Sequence, residues 1–87
     1  MEIKELAQSL AGHDKGRLYA VIGREGDFLL VADGVHHTLE TPKKKKRIHL
    51  QPIRRITERV RAIGADVTDN EQLQEMIRVY VDRLKED

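Results

Sequence analysis

Two short segments of this 87-residue sequence carry the residue types that handle anions. The first is Ala11-Gly12-His13-Asp14-Lys15-Gly16-Arg17. Glycine reaches backbone conformations closed to other residues and lets another chain approach closely. A tight turn built on Gly12 and Gly16 can therefore set Lys15 and Arg17, with free backbone N–H groups, against phosphate oxygens. The same residues also suit an ordinary hairpin turn with incidental charge. The second segment is Lys43-Lys44-Lys45-Lys46-Arg47, preceded by Thr41-Pro42. Adjacent cations displace counterions from a nucleic-acid backbone, and affinity then falls steeply with salt. A run of like charges also repels itself and stays solvated, so it is placed on an exposed loop between strands. His49, Arg54 and Arg55 follow and can extend the basic surface.

Other chemistries find less support. There is no cysteine, so disulfides, thiolate metal sites and thiol nucleophiles are excluded. Ser9 is the only serine and lacks a Gly-x-Ser-x-Gly setting. No phosphate-binding Gly-x-x-x-x-Gly-Lys-Ser/Thr or Gly-x-Gly-x-x-Gly is present. The histidines are His13, His36, His37 and His49. His36 and His37 are adjacent on an expected strand, so they point to opposite faces and cannot share a metal. The expectation is a protein that is not an enzyme and takes no cofactor or metal.

The elements that must position these residues follow from turn signals and periodicity. Gly12-His13-Asp14-Lys15-Gly16, Glu25-Gly26-Asp27 and Asp33-Gly34 punctuate the runs Arg17–Gly23, Phe28–Ala32 and Val35–Leu39. Short runs of this kind between glycine turns read as strands in hairpins, and Asp33-Gly34 suits a two-residue turn. The first two strands are apolar on both faces, with Leu18, Ala20 and Ile22 against Tyr19 and Val21, and Leu29 and Val31 against Phe28, Leu30 and Ala32. A strand with one wet face would alternate apolar and polar residues, so both faces must be covered. The cover is the C-terminal segment. Leu73, Met76, Ile77, Tyr80, Val81 and Leu84 recur at helical spacing, which predicts a helix from Asp69 to Lys85. Thr68 and Glu71 form a capping-box pattern at its start. Ile56, Val60 and Ile63 predict a shorter helical turn before Gly64, and Pro52 marks the exit from a last strand near Ile48–Gln51.

Charge is divided along the chain. Residues 1–55 hold 11 Lys/Arg against 7 Asp/Glu, and residues 56–87 hold 5 against 8. That asymmetry suggests an interaction surface on the basic part. No apolar run is long enough to span a bilayer, and Met1-Glu2-Ile3-Lys4-Glu5 lacks the pattern of a signal peptide. Together with the lack of cysteine, this sets the expectation of a cytoplasmic protein with no membrane partner.

The Ala11–Arg17 segment followed by a strand reaching Val21 resembles the KOW motif of ribosomal proteins and transcription elongation factors. The continuation Leu30-Val31-Ala32-Asp33-Gly34, Thr41-Pro42-Lys43-Lys44-Lys45-Lys46 and His49-Leu50-Gln51 is similar to small bacterial KOW-domain proteins related to the large-subunit ribosomal protein of the fourteen-e type. The resemblance covers most of residues 6–53. Tyr19 stands where the general motif has a second glycine. The resemblance implies a mainly β fold: a small SH3-like barrel over 1–53, with a helical extension over 54–87 packed on it. It further implies binding of RNA, ribosomal RNA or the ribosome, with Gly12 and Gly16 shaping the turn. Lys15 and Arg17 would contact phosphates, together with Lys43, Lys44, Lys45, Lys46, Arg47, His49, Arg54 and Arg55. The alternative is a protein-binding adaptor of the translation or transcription machinery. In that reading the acidic C-terminal helix would face a basic partner.

Overall fold

A computed structural model describes residues 1–85; of the 54–87 extension, positions 86 and 87 lie outside the described residues. The chain forms strands β1 (Leu6–Ser9), β2 (Leu18–Glu25), β3 (Phe28–Ala32), β4 (Lys43–Lys46) and β5 (Leu50–Ile53). A 3-10 turn, Arg47–His49, joins β4 to β5, and helices α1 (Glu58–Gly64) and α2 (Asn70–Lys85) follow. All strand pairs are antiparallel, in the spatial order β4-β3-β2-β1-β5. β4 and β5 are the two edges and are not paired with one another, so the sheet is open where a closed barrel was expected. Each end of the 3-10 turn instead extends the pairing of the edge strand beside it. Arg47 N–H donates to the Asp27 carbonyl at 2.9 Å, and Leu10 N–H donates to the His49 carbonyl at 2.9 Å.

The two-faced strands are covered as their composition requires. Leu6, Ala20 and Ala32 pack with Ile3, Val60, Val67, Leu73 and Met76 on the helical side. Ala7, Tyr19, Leu29, Val31 and Leu50 form a second cluster on the concave side. Burying one such aliphatic side chain contributes roughly 1.5–3 kcal/mol. The α1 end sits close to the chain start. Ile3 N–H donates to the Gly64 carbonyl at 2.6 Å, and a Cβ at Gly64 would lie 2.6 Å from the Ile3 oxygen and 2.6 Å from Met76 Cε. Glycine is the residue that admits that approach.

Several expected local features are corrected. Val35–Leu39 is not a strand. Asp33 Oδ1 accepts backbone N–H bonds from Val35, His36 and His37 at 2.9, 2.9 and 3.0 Å, which closes a compact turn in place of a hairpin ladder. A short side-chain acceptor competing for backbone donors is what diverts such a segment from pairing. His36 and His37 are therefore in this turn and not on a strand. The turn is strapped to α2: Gln74 Nε2 donates to the Gly34 carbonyl at 2.9 Å, and Leu39 N–H donates to Asn70 Oδ1 at 2.9 Å.

The lysine run is not a loop but strand β4, paired with β3 from Val31↔Lys43 to Phe28↔Lys46. Pro52 lies inside β5, not beyond it; this edge strand, paired only with β1, can accept a residue without N–H. The α2 cap is one residue later than the Thr68–Glu71 pattern. Asp69 Oδ1 accepts from Gln72 N–H at 2.9 Å, and Gln72 Oε1 accepts from Thr68 N–H at 2.6 Å.

Candidate nucleic-acid interface

The glycine turn joins β1 to β2, and its shape requires its glycines. Gly12 has φ +87° and Gly16 has φ +90°, in the region that disfavours side chains. Ser9 N–H donates to the Arg17 carbonyl and Gly16 N–H to the Ser9 carbonyl, at 2.9 and 2.8 Å. These bonds hold Lys15 exposed at the tip and Arg17 half-buried at the base. His13 is also exposed at the tip.

Asp14 points the other way, into the concave side, and is buried. Its Oδ1 accepts from Ser9 Oγ at 3.0 Å and from Lys45 Nζ at 2.8 Å. Its Oδ2 accepts from the Tyr19 hydroxyl at 2.6 Å and from Lys43 Nζ at 3.2 Å. Burial alone would raise the Asp14 carboxyl; the bonds from Lys45, Tyr19, Ser9 and Lys43 outweigh it and hold the carboxyl far below its usual range. Burial, followed by the hydrogen bond and charge of Asp14, pushes the Tyr19 phenol up to about 12, with Arg17 opposing. A buried charge is tolerated when paired and hydrogen-bonded, and both carboxylate oxygens meet that condition here.

This hub divides the lysine run by strand parity. Lys43 and Lys45 lie opposite Val31 and Leu29, members of the concave cluster, and their stems lie on that side. Lys45 is buried and also donates to the Ala11 carbonyl at 3.0 Å. The two side chains first read as exposed phosphate contacts are therefore structural cations. Lys44 and Lys46, on the opposite face, are exposed. Lys44 sits 3.5 Å from Glu25 and 5.5 Å from the centre of the Phe28 ring. Arg47 and His49 are exposed on the 3-10 turn. Among the described residues, no carboxylate lies within 4 Å of the charged groups of Lys15, Arg17, Lys46 or Arg47.

The turn and the basic strand thus adjoin, clasped at Asp14 and at the Leu10–His49 backbone bond. Arg54 and Arg55 are not part of that union. β5 pairs Leu50 with Ser9 and Ile53 with Leu6, so Arg54 and Arg55 leave the sheet at the end remote from the glycine turn. At about 3.3 Å per residue, that displacement is on the order of 10 Å.

Asp14 was missed as a sequence feature; its only local signal is a carboxylate between two glycines in an otherwise basic turn. No helix among the described residues is long and apolar enough to cross a membrane. No protein-family model and no curated protein matches the chain.

Proposed function

We propose that the protein is an RNA-binding module of the KOW, SH3-like type, docking on ribosomal RNA or on the ribosome. The observation that carries this reading is the Asp14 clasp. By consuming Lys43 and Lys45 it fastens β4 beside the glycine turn, so that Lys15, Arg17, Lys46 and Arg47 stand on adjoining segments. The clasp adds a direct side-chain link between two basic segments about 30 residues apart in sequence, beside the sheet pairing and the Leu10–His49 backbone bond. The strand order, with a 3-10 turn carrying the chain from β4 to the β1-paired β5, supports an SH3-like barrel open along one seam. Aromatic side chains are scarce, with one Phe and two Tyr, and Tyr19 is wholly buried. Shape and phosphate contacts, more than base stacking, would therefore dominate binding to structured RNA.

The test is co-sedimentation with ribosomal subunits and titration with ribosomal RNA over a range of salt. Lys15→Gln with Arg17→Gln, and separately Lys46→Gln with Arg47→Gln, should weaken binding and lower the salt slope by about 0.7–0.9 per lost phosphate contact. The Lys46→Gln/Arg47→Gln variant should keep the thermal stability of the parent, because both side chains lie outside the Asp14 hub; Arg17 faces the Tyr19 phenol, so Lys15→Gln alone serves as the stability-matched variant of the turn. Undiminished binding by both variants would overturn the reading. Retention of a protein partner after nuclease treatment would point to the adaptor alternative.

A further inference from the structure

Arg54 and Arg55 share a groove with a third arginine, Arg83, which lies about 30 residues further along the chain. They line a groove with Ile56, Thr57, Tyr80, Arg83 and Leu84, between the β5–α1 connection and the last turns of α2. We infer that this groove is a second phosphate-binding site for RNA, separate from the glycine turn and built on the guanidinium groups of Arg54, Arg55 and Arg83. The inference rests on the RNA-binding reading above and adds a further point of contact to it.

Three observations carry it. First, three arginines line one groove of about 520 Å³, and no carboxylate residue is among those lining it. Second, none of the three has a carboxylate within 4 Å among the described residues, although Glu58 and Asp82 line the neighbouring groove that Arg83 also borders. Guanidinium groups that share one groove repel one another, and an anion relieves that repulsion. Third, the remaining polar residues lining the groove are Thr57 and Tyr80, whose hydroxyls can each donate a hydrogen bond. Guanidinium forks and hydroxyls are the groups that take phosphate oxygens.

Arg83 belongs to the half of the chain with excess acid, which only the adaptor alternative would set against a basic partner. The fold brings it to the same groove as the two arginines that end the basic half. Contacts at both ends of the β1–β5 pair would fix the orientation of an RNA on the protein, which one loop alone cannot do.

The experiment uses the full chain and a labelled hairpin of ribosomal RNA, titrated across salt concentrations. It compares the parent, Arg54→Gln/Arg55→Gln/Arg83→Gln, and Lys46→Gln/Arg47→Gln. The triple variant should bind more weakly and lose about 2 to 3 units of salt slope, at 0.7–0.9 per contact. In the parent, NMR signals of the Arg54, Arg55 and Arg83 side-chain N–H groups should shift on adding the hairpin. If the triple variant keeps the parental slope and these signals stay still while Lys46→Gln/Arg47→Gln weakens binding, the groove is not a phosphate site and the RNA reading stands. If the parent binds no RNA at all, both are overturned. Equal unfolding midpoints for parent and triple variant show that a loss is local, and a single Arg83→Gln variant provides the same slope comparison should the triple variant unfold.

Discussion

Lys45 Nζ lies 2.8 Å from Oδ1 of Asp14, a carboxylate 31 residues earlier in the chain, and both side chains are more than nine-tenths buried. The contact joins an edge strand to the turn between β1 and β2. It is an ion pair enclosed by protein, where removing one partner strands a charge without water.

Breaking this pair from one side should therefore be costly. Asp14→Ala leaves Lys45 buried and uncompensated, and about 3–5 kcal/mol of stability should be lost. That is a large part of the 5–15 kcal/mol typical of a folded domain. Lys45→Met should also destabilise, and the double variant should lose less than the sum, with a coupling of about 1–3 kcal/mol. Urea unfolding of the four proteins measures it. Lys44→Met, at the exposed Glu25 pair, should change stability by less than about 1 kcal/mol. Equal costs at Lys44 and Lys45 would refute the division by parity.

The acid limb should report Asp14. Its carboxyl is held low in the folded state, whereas an unfolded Asp titrates near about 3.9. Below that pH the unfolded chain binds the proton that the native one refuses. Stability is therefore fully present above about pH 4 and falls as pH drops further. Asp33, held low because bonds from His37, Val35 and His36 outweigh its burial, adds to the same limb. Asp14→Asn should be less stable at neutral pH and show a shallower acid limb, read from urea midpoints between neutrality and about pH 2. An unchanged slope would sink the assignment.

Tyr19 should set the alkaline side. Its phenol is raised to about 12 from an ordinary value of 10.0, so the native state keeps a proton that the unfolded chain gives up. The stability this contributes is present below pH 10 and is lost as pH rises through about 12. Tyr19→Phe removes that dependence and, at neutral pH, one hydrogen bond to a charged group, about 1.5–3 kcal/mol. In a Tyr80→Phe background, ultraviolet titration should show the remaining phenol ionising near 12.

Gly34 and Gly16 separate backbone strain from crowding. Their φ angles are +84° and +90°, so alanine meets a similar backbone penalty of about 1–2 kcal/mol at each. A Cβ at Gly16 meets nothing within 4 Å, whereas at Gly34 it would lie 2.6 Å from the Asn70 carbonyl oxygen. Gly34→Ala should therefore cost a further 1–3 kcal/mol, by loosening the strap between the β3–β4 connection and α2. Thermal denaturation of the two variants gives the difference; equal midpoints would show that α2 yields freely.

Much of the framework is written locally. The β2–β3 hairpin follows from Gly26 and its flanking apolar runs, and α2 from the spacing of Leu73, Met76, Ile77 and Tyr80. The need for two covering layers follows from strands apolar on both faces. These signals lie within one or two turns of chain, where side-chain period and backbone geometry are coupled. The lysine run shows where local reading stops. As a string of like charges it reads as solvated, and only pairing with β3 imposes the period of two that sends Lys43 and Lys45 inward and Lys44 and Lys46 outward. Asp33 diverted a segment of strand-like composition because one carboxylate oxygen could gather three nearby N–H groups. The sequence by itself determined the β2–β3 hairpin, the two helices and the need to bury both faces of those strands, because those are properties of neighbouring residues. The tertiary structure decided which charges are spent inside and which remain exposed, because the Asp14–Lys45 bond and the Arg54–Arg55–Arg83 groove join residues that only the folded chain brings together.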